Sequence, residues 1–354
     1  MPSQSIPQSV PQSHEVALIG AGPIGLEIAV ALKAAGIDYV HFDAAQVGQT
    51  IYAFPPATRF YSSNERIAIA GVPLQTIDQG KCTREAYLAY LRSVVQQFDL
   101  PIRTYEPVEA IQRCGTEFQL RTRTLTGVTN QWRTQKIILA TGGTARPRKL
   151  GIPGEELSHV HHVFADPHVY FRKRLLIVGG RNSAVEAALR CHHAGARVAI
   201  SYRRDRFDPA HLKYWLLPEI NGLIELRHVQ AHFGTIPQAI TPTHVVLRAA
   251  ESQQRVDLAA DFVLFQVGYV ADMSLCRLAG VELSADQQVP VFNPATMETN
   301  IPGIYVAGTA MAGTQEHYRV FLENCHGHAH RIVTALRGNT STVADEQALE
   351  RPET

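Results

Sequence analysis

The chain has no Cys-x-x-Cys pair. Its five cysteines, Cys82, Cys114, Cys191, Cys276 and Cys325, are scattered and odd in number, which excludes a sequence-adjacent redox dithiol or zinc pair. Reduced thiols in a reducing cytoplasm fit this usage. A charge excess is missing too: 33 Lys and Arg face 32 Asp and Glu, a net +1 in 354 residues. That gives no broad basic field and argues against a nucleic-acid partner. No apolar run approaches the about 18 residues of a membrane span, so no membrane contact is expected. Met1 to His14 has neither the cationic start nor the apolar stretch of a signal peptide. This Ser-, Gln- and Pro-rich stretch, 1–14, reads as a disordered leader, and 338–354 as a similar polar tail. The remainder has the composition of an ordinary α/β protein, and its length suits two domains rather than one core.

Glycine is what the chain does have, 25 residues of it. Two clusters follow apolar runs and open amphipathic ones. The first is Val16-Ala-Leu-Ile-Gly20-Ala-Gly22-Pro23-Ile24-Gly25, the second Leu175-Leu-Ile-Val-Gly179-Gly180-Arg181-Asn182-Ser183-Ala184. In a strand–glycine turn–helix unit one glycine permits the tight turn, one lets a pyrophosphate approach the backbone, and one lets the helix pack on the strand. The helix N-terminus supplies N–H donors and the positive end of its dipole. After the first turn, Asp43 stands at the end of the next strand, Tyr39-Val-His-Phe, where a carboxylate would meet ribose hydroxyls. Two such turns imply two dinucleotides bound face to face, as when a nicotinamide reduces a flavin.

The two turns divide the chain. The pattern predicts a helix over Arg84 to Phe98, a short strand from Pro101, a hairpin over Phe118 to Trp132 and an apolar strand Lys136 to Ala140 ending in Thr141-Gly142-Gly143. The second βαβ unit begins near Arg174 and is followed by a hairpin, Val245 to Leu258, and a strand, Asp261 to Val267. After Tyr269 the chain reads like the first domain again, through Ile304 to Gly308 and a last helix from roughly Gln315 to Leu336. The expected fold class is therefore α/β, two Rossmann-like dinucleotide-binding domains, with the second (166–269) inserted in a discontinuous first (15–165 and 270–337).

Where an NAD site would carry a carboxylate, the second unit has Ser201-Tyr202-Arg203-Arg204. Two guanidinium groups suit the 2′-phosphate of NADPH through forked, charge-assisted hydrogen bonds. Arg181 stands where the middle glycine would allow close pyrophosphate approach. It either obstructs the phosphate or replaces a backbone contact by a cationic one.

Two later segments favour FAD at the first turn. Ile137 to Ala140-Thr141-Gly142 resembles the strand end of two-dinucleotide flavoproteins, and Thr299 to Gly308 resembles their second flavin signature. In most relatives an Asp follows that glycine; here it is Thr309. The wider match is to the thioredoxin-reductase-like flavoproteins, and within them to the bacillithiol-disulfide reductases (YpdA or Bdr). It is carried by Thr50-Ile-Tyr52-Ala-Phe-Pro-Pro56, Phe60 to Arg66, Asp166 to Phe171, Val178 to Ala188, Met297 to Asn300 and Phe321 to Asn324, and Gln49 is expected with Thr50 and Tyr52 among the flavin contacts. The resemblance implies an NADPH-dependent FAD oxidoreductase, a homo-oligomer, reducing a low-molecular-weight thiol disulfide without a Cys-x-x-Cys. It also implies a flavin contact near Val320, between Tyr318 and Phe321, and a basic residue at Arg181. The family places a cysteine proposed for thiol chemistry where this chain has Ile24.

If another thiol takes that role, Cys325 is the candidate, about one helical turn beyond Phe321 and next to His326; Cys82, beside Lys81, is the second. The competing reading is inert packing. His326, His328 and His330 do not make a metal site, since i and i+2 on a helix diverge. Tyr52 and Phe60 either pack their loop or stack near the flavin. Rival functions are a ferredoxin/flavodoxin–NADP reductase, a flavin monooxygenase (whose Phe-x-Gly-x-x-x-His run is lacking), a small redox protein as acceptor, and a non-catalytic flavin-binding redox sensor.

Overall fold

Four parallel strands set the stage in the first part of the chain. A computed structural model describes residues 12–316 and 318–339. β1 (Gln12–Ile19) lies between β2 (Tyr39–Phe42) and the long β6 (Thr129–Leu139), all parallel; the strand Ile304–Val306 joins the far side of β6. β1 begins inside the stretch expected as a leader: Gln12, Ser13 and His14 pair with Trp132, Arg133 and Thr134, and the His14 ring meets Asp38 at 3.0 Å. The rest of that leader, residues 1–11, and the tail from 340 lie outside the described residues.

The register decides the geometry. Phe42, Ile19, Leu139 and Val306 stand in one row across the sheet. The segments that leave these strands, at Asp43, Gly20, Ala140 and Ala307, therefore emerge side by side at the carboxyl edge, where open α/β sheets bind ligands. The sheet continues on one side through β3 (Ile102–Arg103) and on the other through the antiparallel strands β4 (Val108–Cys114) and β5 (Glu117–Arg123). β1 and β2 are buried along their inner lengths, as parallel strands covered on both faces must be.

One face of the sheet is covered by α1 (Pro23–Ala34) and the helix Gly327–Leu336, joined by the aromatic face of α4 (Arg84–Gln97). Thr83 caps α4 by accepting from the Ala86 N–H at 3.2 Å. The last helix is shorter than the Gln315–Leu336 expected. Upstream of it the Gln315 side chain substitutes for helical bonding, its Oε1 accepting from Arg319 and Val320 N–H at 2.9 Å each and its Nε2 donating to the Val320 carbonyl. Local side-chain competition of this kind interrupts a helix.

The chain splits into two compact units: the described residues up to Arg146 with those from Val270, and Pro147–Tyr269. The first crossing thus falls after Arg146, not after 165. The reason is that Val160–His161 is a strand of the second unit, pairing with Val263 and Leu264. That unit is a five-stranded parallel sheet in the order 230–233, 197–202, 174–178, 262–265, 160–161, with a three-stranded antiparallel sheet, 235–240, 244–249 and 255–259. Among the described residues no helix is long and apolar enough to cross a membrane.

Candidate functional site

The first glycine turn is built by exclusion. Gly20 has φ 111, and a Cβ there would fall onto the Ala140 carbonyl; a Cβ on Gly25 would fall onto the Gly20 carbonyl. Both are glycine because backbone occupies the space. Gly22 is different. It is the N-cap of α1 with φ −75 and ψ 178, which any residue adopts, and a Cβ there would meet nothing within 4 Å. No protein atom requires a glycine here, and a Cβ would stand in open space. Pro23 follows as the first helical residue and no side chain caps the helix. This cradle fits the pyrophosphate of a dinucleotide.

Three successive residues of β2 and its end hold the turn. Phe42 O accepts from Gly20 N–H at 2.8 Å, the His41 Nε2 lies 2.9 Å from the Gly20 carbonyl, and Asp43 Oδ2 accepts from Ala21 N–H at 2.6 Å. Asp43 Oδ1 accepts from Ala45 N–H at 2.8 Å. Asp43, expected at a ribose, has a structural part in this turn: both its oxygens brace backbone, leaving one further lone pair on each for hydroxyls. Burial raises its pKa against the opposing pull of the two N–H bonds. His41 was not among the expected site residues. Its signal was a lone polar residue in an otherwise apolar strand; it is fully buried and burial lowers its pKa to about 4.

The other strand ends meet the turn from the far side. Gly143 N–H donates to Thr309 Oγ1 at 2.9 Å, tying the end of β6, where Gly142 has φ 77, to the loop after Ile304–Val306. Gly308 N–H donates to His328 Nδ1 at 3.0 Å. Ile24 is buried and lies against Gly308, whose Cβ would sit 3.4 Å away. Gly48 N–H donates to the Ala21 carbonyl at 3.0 Å, which places the short helix Gln49–Tyr52, with Thr50, beside the turn. Tyr52 is 59% exposed with the Arg84 guanidinium 5.1 Å over its ring, while Phe60 packs on Tyr87 with ring centres 4.6 Å apart. Phe60 thus belongs to the packing of its loop. Val320 is half-buried against the core of this unit.

In the second unit Gly179 has φ 146, and a Cβ would fall onto the Gln266 carbonyl; Gly180 lies against the Tyr202 ring. Arg181 is the N-cap of the helix Asn182–His193 with φ −108 and ψ −176, the same extended backbone as Gly22. The fold needs no glycine there. Asn182 Oδ1 accepts from Lys213 N–H at 2.8 Å, and Ser183 is exposed in the first turn. Ser201 is buried and bonds Thr235 Oγ1 at 2.8 Å, so it faces inward. Arg203 is exposed, and Arg204 Nη1 bonds Asp208 at 2.8 Å, which His211 also meets.

The thiols are placed against redox work. Cys82, Cys191, Cys276 and Cys325 are all buried, and burial pushes the last to about 12. Cys325 donates to the Phe321 carbonyl at 3.0 Å. His326, expected to favour its thiolate, turns instead to Glu27 and the Arg66 carbonyl, at 2.9 Å each. Cys82, likewise pushed up to about 11, bonds the Thr83 carbonyl. Neither candidate has the exposure or the lowered pKa of a reactive thiol. Cys114 is exposed, but at the hairpin end of β4. No group of three His, Cys, Asp or Glu among the described residues is placed to hold a metal ion.

Comparison with known proteins agrees with this architecture. Residues 17–308 match the pyridine nucleotide-disulphide oxidoreductase family. The bacilliredoxin reductase Bdr of Bacillus subtilis is 34% identical over 320 residues, 90% of this chain and 96% of that one. The structure of the bacillithiol disulfide reductase Bdr (YpdA) from Bacillus cereus superimposes with a TM-score of 0.87 at 32% identity, covering 92% of this chain and 99% of the other. That from Staphylococcus aureus gives 0.86 at 28% identity with the same coverage. The chain belongs to the pyridine nucleotide-disulphide oxidoreductase family, in its bacilliredoxin reductase branch, and is a two-domain oxidoreductase of that class.

Proposed function

We propose that the first unit binds FAD, the second binds NADPH, and the chain uses them to reduce a low-molecular-weight thiol disulfide of the bacillithiol type. The observation that carries the reading is Gly22, a glycine with open space in front of it and no structural need for it, at the N-cap of an uncapped helix. The FAD pyrophosphate is assigned to Gly20, Gly22, Pro23, Ile24 and Gly25, its ribose to Asp43, and its remaining contacts to Gln49, Thr50, Tyr52, Ala140, Thr141, Gly142, Gly308, Thr309 and Val320. NADPH is assigned to Gly179, Gly180, Arg181, Asn182 and Ser183, with Arg203 and Arg204 on its 2′-phosphate.

When bound, FAD supplies the redox chemistry, taking an electron pair from NADPH and passing it to the acceptor. The balance is NADPH, one proton and a disulfide giving NADP+ and two thiols. The chain's own part is to bind and orient: β2 and the strand after Gly303 fix the turns, and Arg181, Arg203 and Arg204 supply positive charge to phosphates. The acceptor comes from the reductases that the chain resembles, and so does a homo-oligomeric assembly.

A second acceptor, a ferredoxin, is favoured by one observation: the four buried cysteines leave no thiol at the glycine turns. Anaerobic titration of the flavin-loaded protein separates the readings. We expect bleaching at one NADPH per FAD and reoxidation by bacillithiol disulfide. Reoxidation by a ferredoxin alone selects the second reading. A flavin that stays oxidised under NADPH would overturn the NADPH assignment and leave a sensor or a ferredoxin-fed enzyme.

A further inference from the structure

Two histidines lie beneath the first unit's cradle, one under each glycine loop. His41, fully buried, has Nε2 at 2.9 Å from the Gly20 carbonyl. A carbonyl only accepts, so Nε2 carries the proton and donates. Asp43 Oδ2 takes the N–H of the next residue, Ala21, at 2.6 Å. The Gly20–Ala21 peptide is therefore pinned at both ends, its oxygen by His41 and its N–H by Asp43. Its plane cannot rotate, and the N–H groups that follow at the start of α1 are held in one direction.

His328, 4% exposed on the last helix, plays the converse part. Its Nδ1 lies 3.0 Å from the Gly308 nitrogen, whose N–H donates. Nδ1 must then be unprotonated and the ring neutral. Gly308 has φ 64, lies against Ile24 of the first turn and precedes Thr309, which receives Gly143 N–H. One buried ring fixes the carbonyl of the first glycine loop, another the amide of the second, and the two loops touch through Ile24. Simple core packing does not account for His41, because its Nδ1 is buried without a hydrogen-bond partner, a cost that a purely apolar strand would have avoided.

We infer that His41 and His328 are positioning residues for the flavin, setting its affinity by locking the Gly20 and Gly308 loops. This rests on the assignment of FAD to the first unit. A locked loop binds better because its ordering cost is met on folding rather than on binding.

The test uses the full chain stripped of flavin and reconstituted. FAD affinity is followed by quenching of flavin fluorescence, and apoprotein stability by its thermal midpoint. His41→Leu and His328→Leu should each weaken FAD roughly ten-fold or more, the factor given by about 1.4 kcal/mol. His41→Gln, whose amide can donate from the Nε2 position, and His328→Asn, whose oxygen can accept from the Nδ1 position, should restore affinity to within about three-fold. Binding of 2′-phospho-ADP-ribose to the second unit should not change in any of the four. Leucine variants that bind FAD as tightly as the wild type overturn the inference. So do amide variants that fold but bind no better than the leucine ones, since ring volume rather than the hydrogen bond would then matter. If the leucine variants do not fold, the amide pair alone decides. Failure of the wild-type apoprotein to take up FAD would instead overturn the assignment of FAD to this unit.

Discussion

Thr309 Oγ1 accepts the N–H of Gly143 at 2.9 Å, joining two loops 166 residues apart in sequence. The hydroxyl stands where relatives resembling this chain carry an Asp, and here it serves a buried backbone donor that would otherwise lack a partner. Thr309→Val removes the acceptor at constant shape. It should cost about 1 kcal/mol or more of stability and weaken FAD, while Thr309→Ser keeps both. Thermal midpoints and FAD titrations of the two variants check this; a valine variant indistinguishable from wild type would show that Gly143 finds another acceptor.

Gly22→Val should leave the apoprotein folded and remove FAD retention, because a Cβ at position 22 would meet no protein atom within 4 Å and would stand in the space assigned to the pyrophosphate. Gly25→Ala, whose Cβ would fall on the Gly20 carbonyl, should instead impair folding. A yellow, flavin-loaded Gly22→Val protein would refute the placement of the pyrophosphate.

Arg203→Ala with Arg204→Ala should raise the KM for NADPH at least roughly ten-fold, the loss expected for a charge-assisted contact, and leave NADH nearly unchanged. Steady-state kinetics with both coenzymes decide; an equal loss for both would mean the guanidinium groups do not read the 2′-phosphate.

His326 bonds a carboxylate through Nδ1 and a carbonyl through Nε2, both acceptors, so its ring is an imidazolium. The hydrogen bond to Glu27 raises its pKa above 6.5. Its stabilisation is present in full below pH 6.5 and lost as pH rises through the higher folded value. His41 and His328 work the other way. Burial lowers both to about 4, so stability is intact above pH 6.5 and lost as pH falls from there towards 4. Thermal midpoints across pH should therefore fall on both sides. His326→Gln should flatten the alkaline limb alone; an unchanged alkaline limb would show that Glu27 does not hold the proton there.

Cys325→Ser should leave disulfide turnover within about two-fold, since a buried thiol with a raised pKa is a poor nucleophile. N-ethylmaleimide should label one thiol per native chain, Cys114, and all five after denaturation. Mass spectrometry after alkylation reads both states. Rapid native labelling of Cys325 would return it to consideration.

Legibility differed by element. The glycine turns, β1, α1, the helix after Gly179 and the carboxylate at Asp43 were readable because local geometry forces their residue types: glycine where backbone crowds backbone, apolar runs where parallel strands are covered. The end of the chain was not. Gln315 to Asn324 carries helix-compatible residues, yet the Gln315 and Asn324 side chains take the backbone hydrogen bonds. Nor was the fate of Cys325, whose neighbour in sequence, His326, points away to Glu27.

By itself, then, the amino-acid order determined two dinucleotide units, their chemical class and the arginines of the second, all of them properties of short segments. Only the tertiary structure decided which polar groups remain for a ligand. Asp43 is shared with the Ala21 and Ala45 amides, Ser201 is turned inward, Thr309 is engaged by Gly143, and His41 and His328 stand beneath the two loops. Apart from Asp43 and Ala45, those partners lie 20 or more residues apart along the chain. In the first unit they meet because the strand register sets four carboxyl ends in one row, and buried polar groups there must find one another.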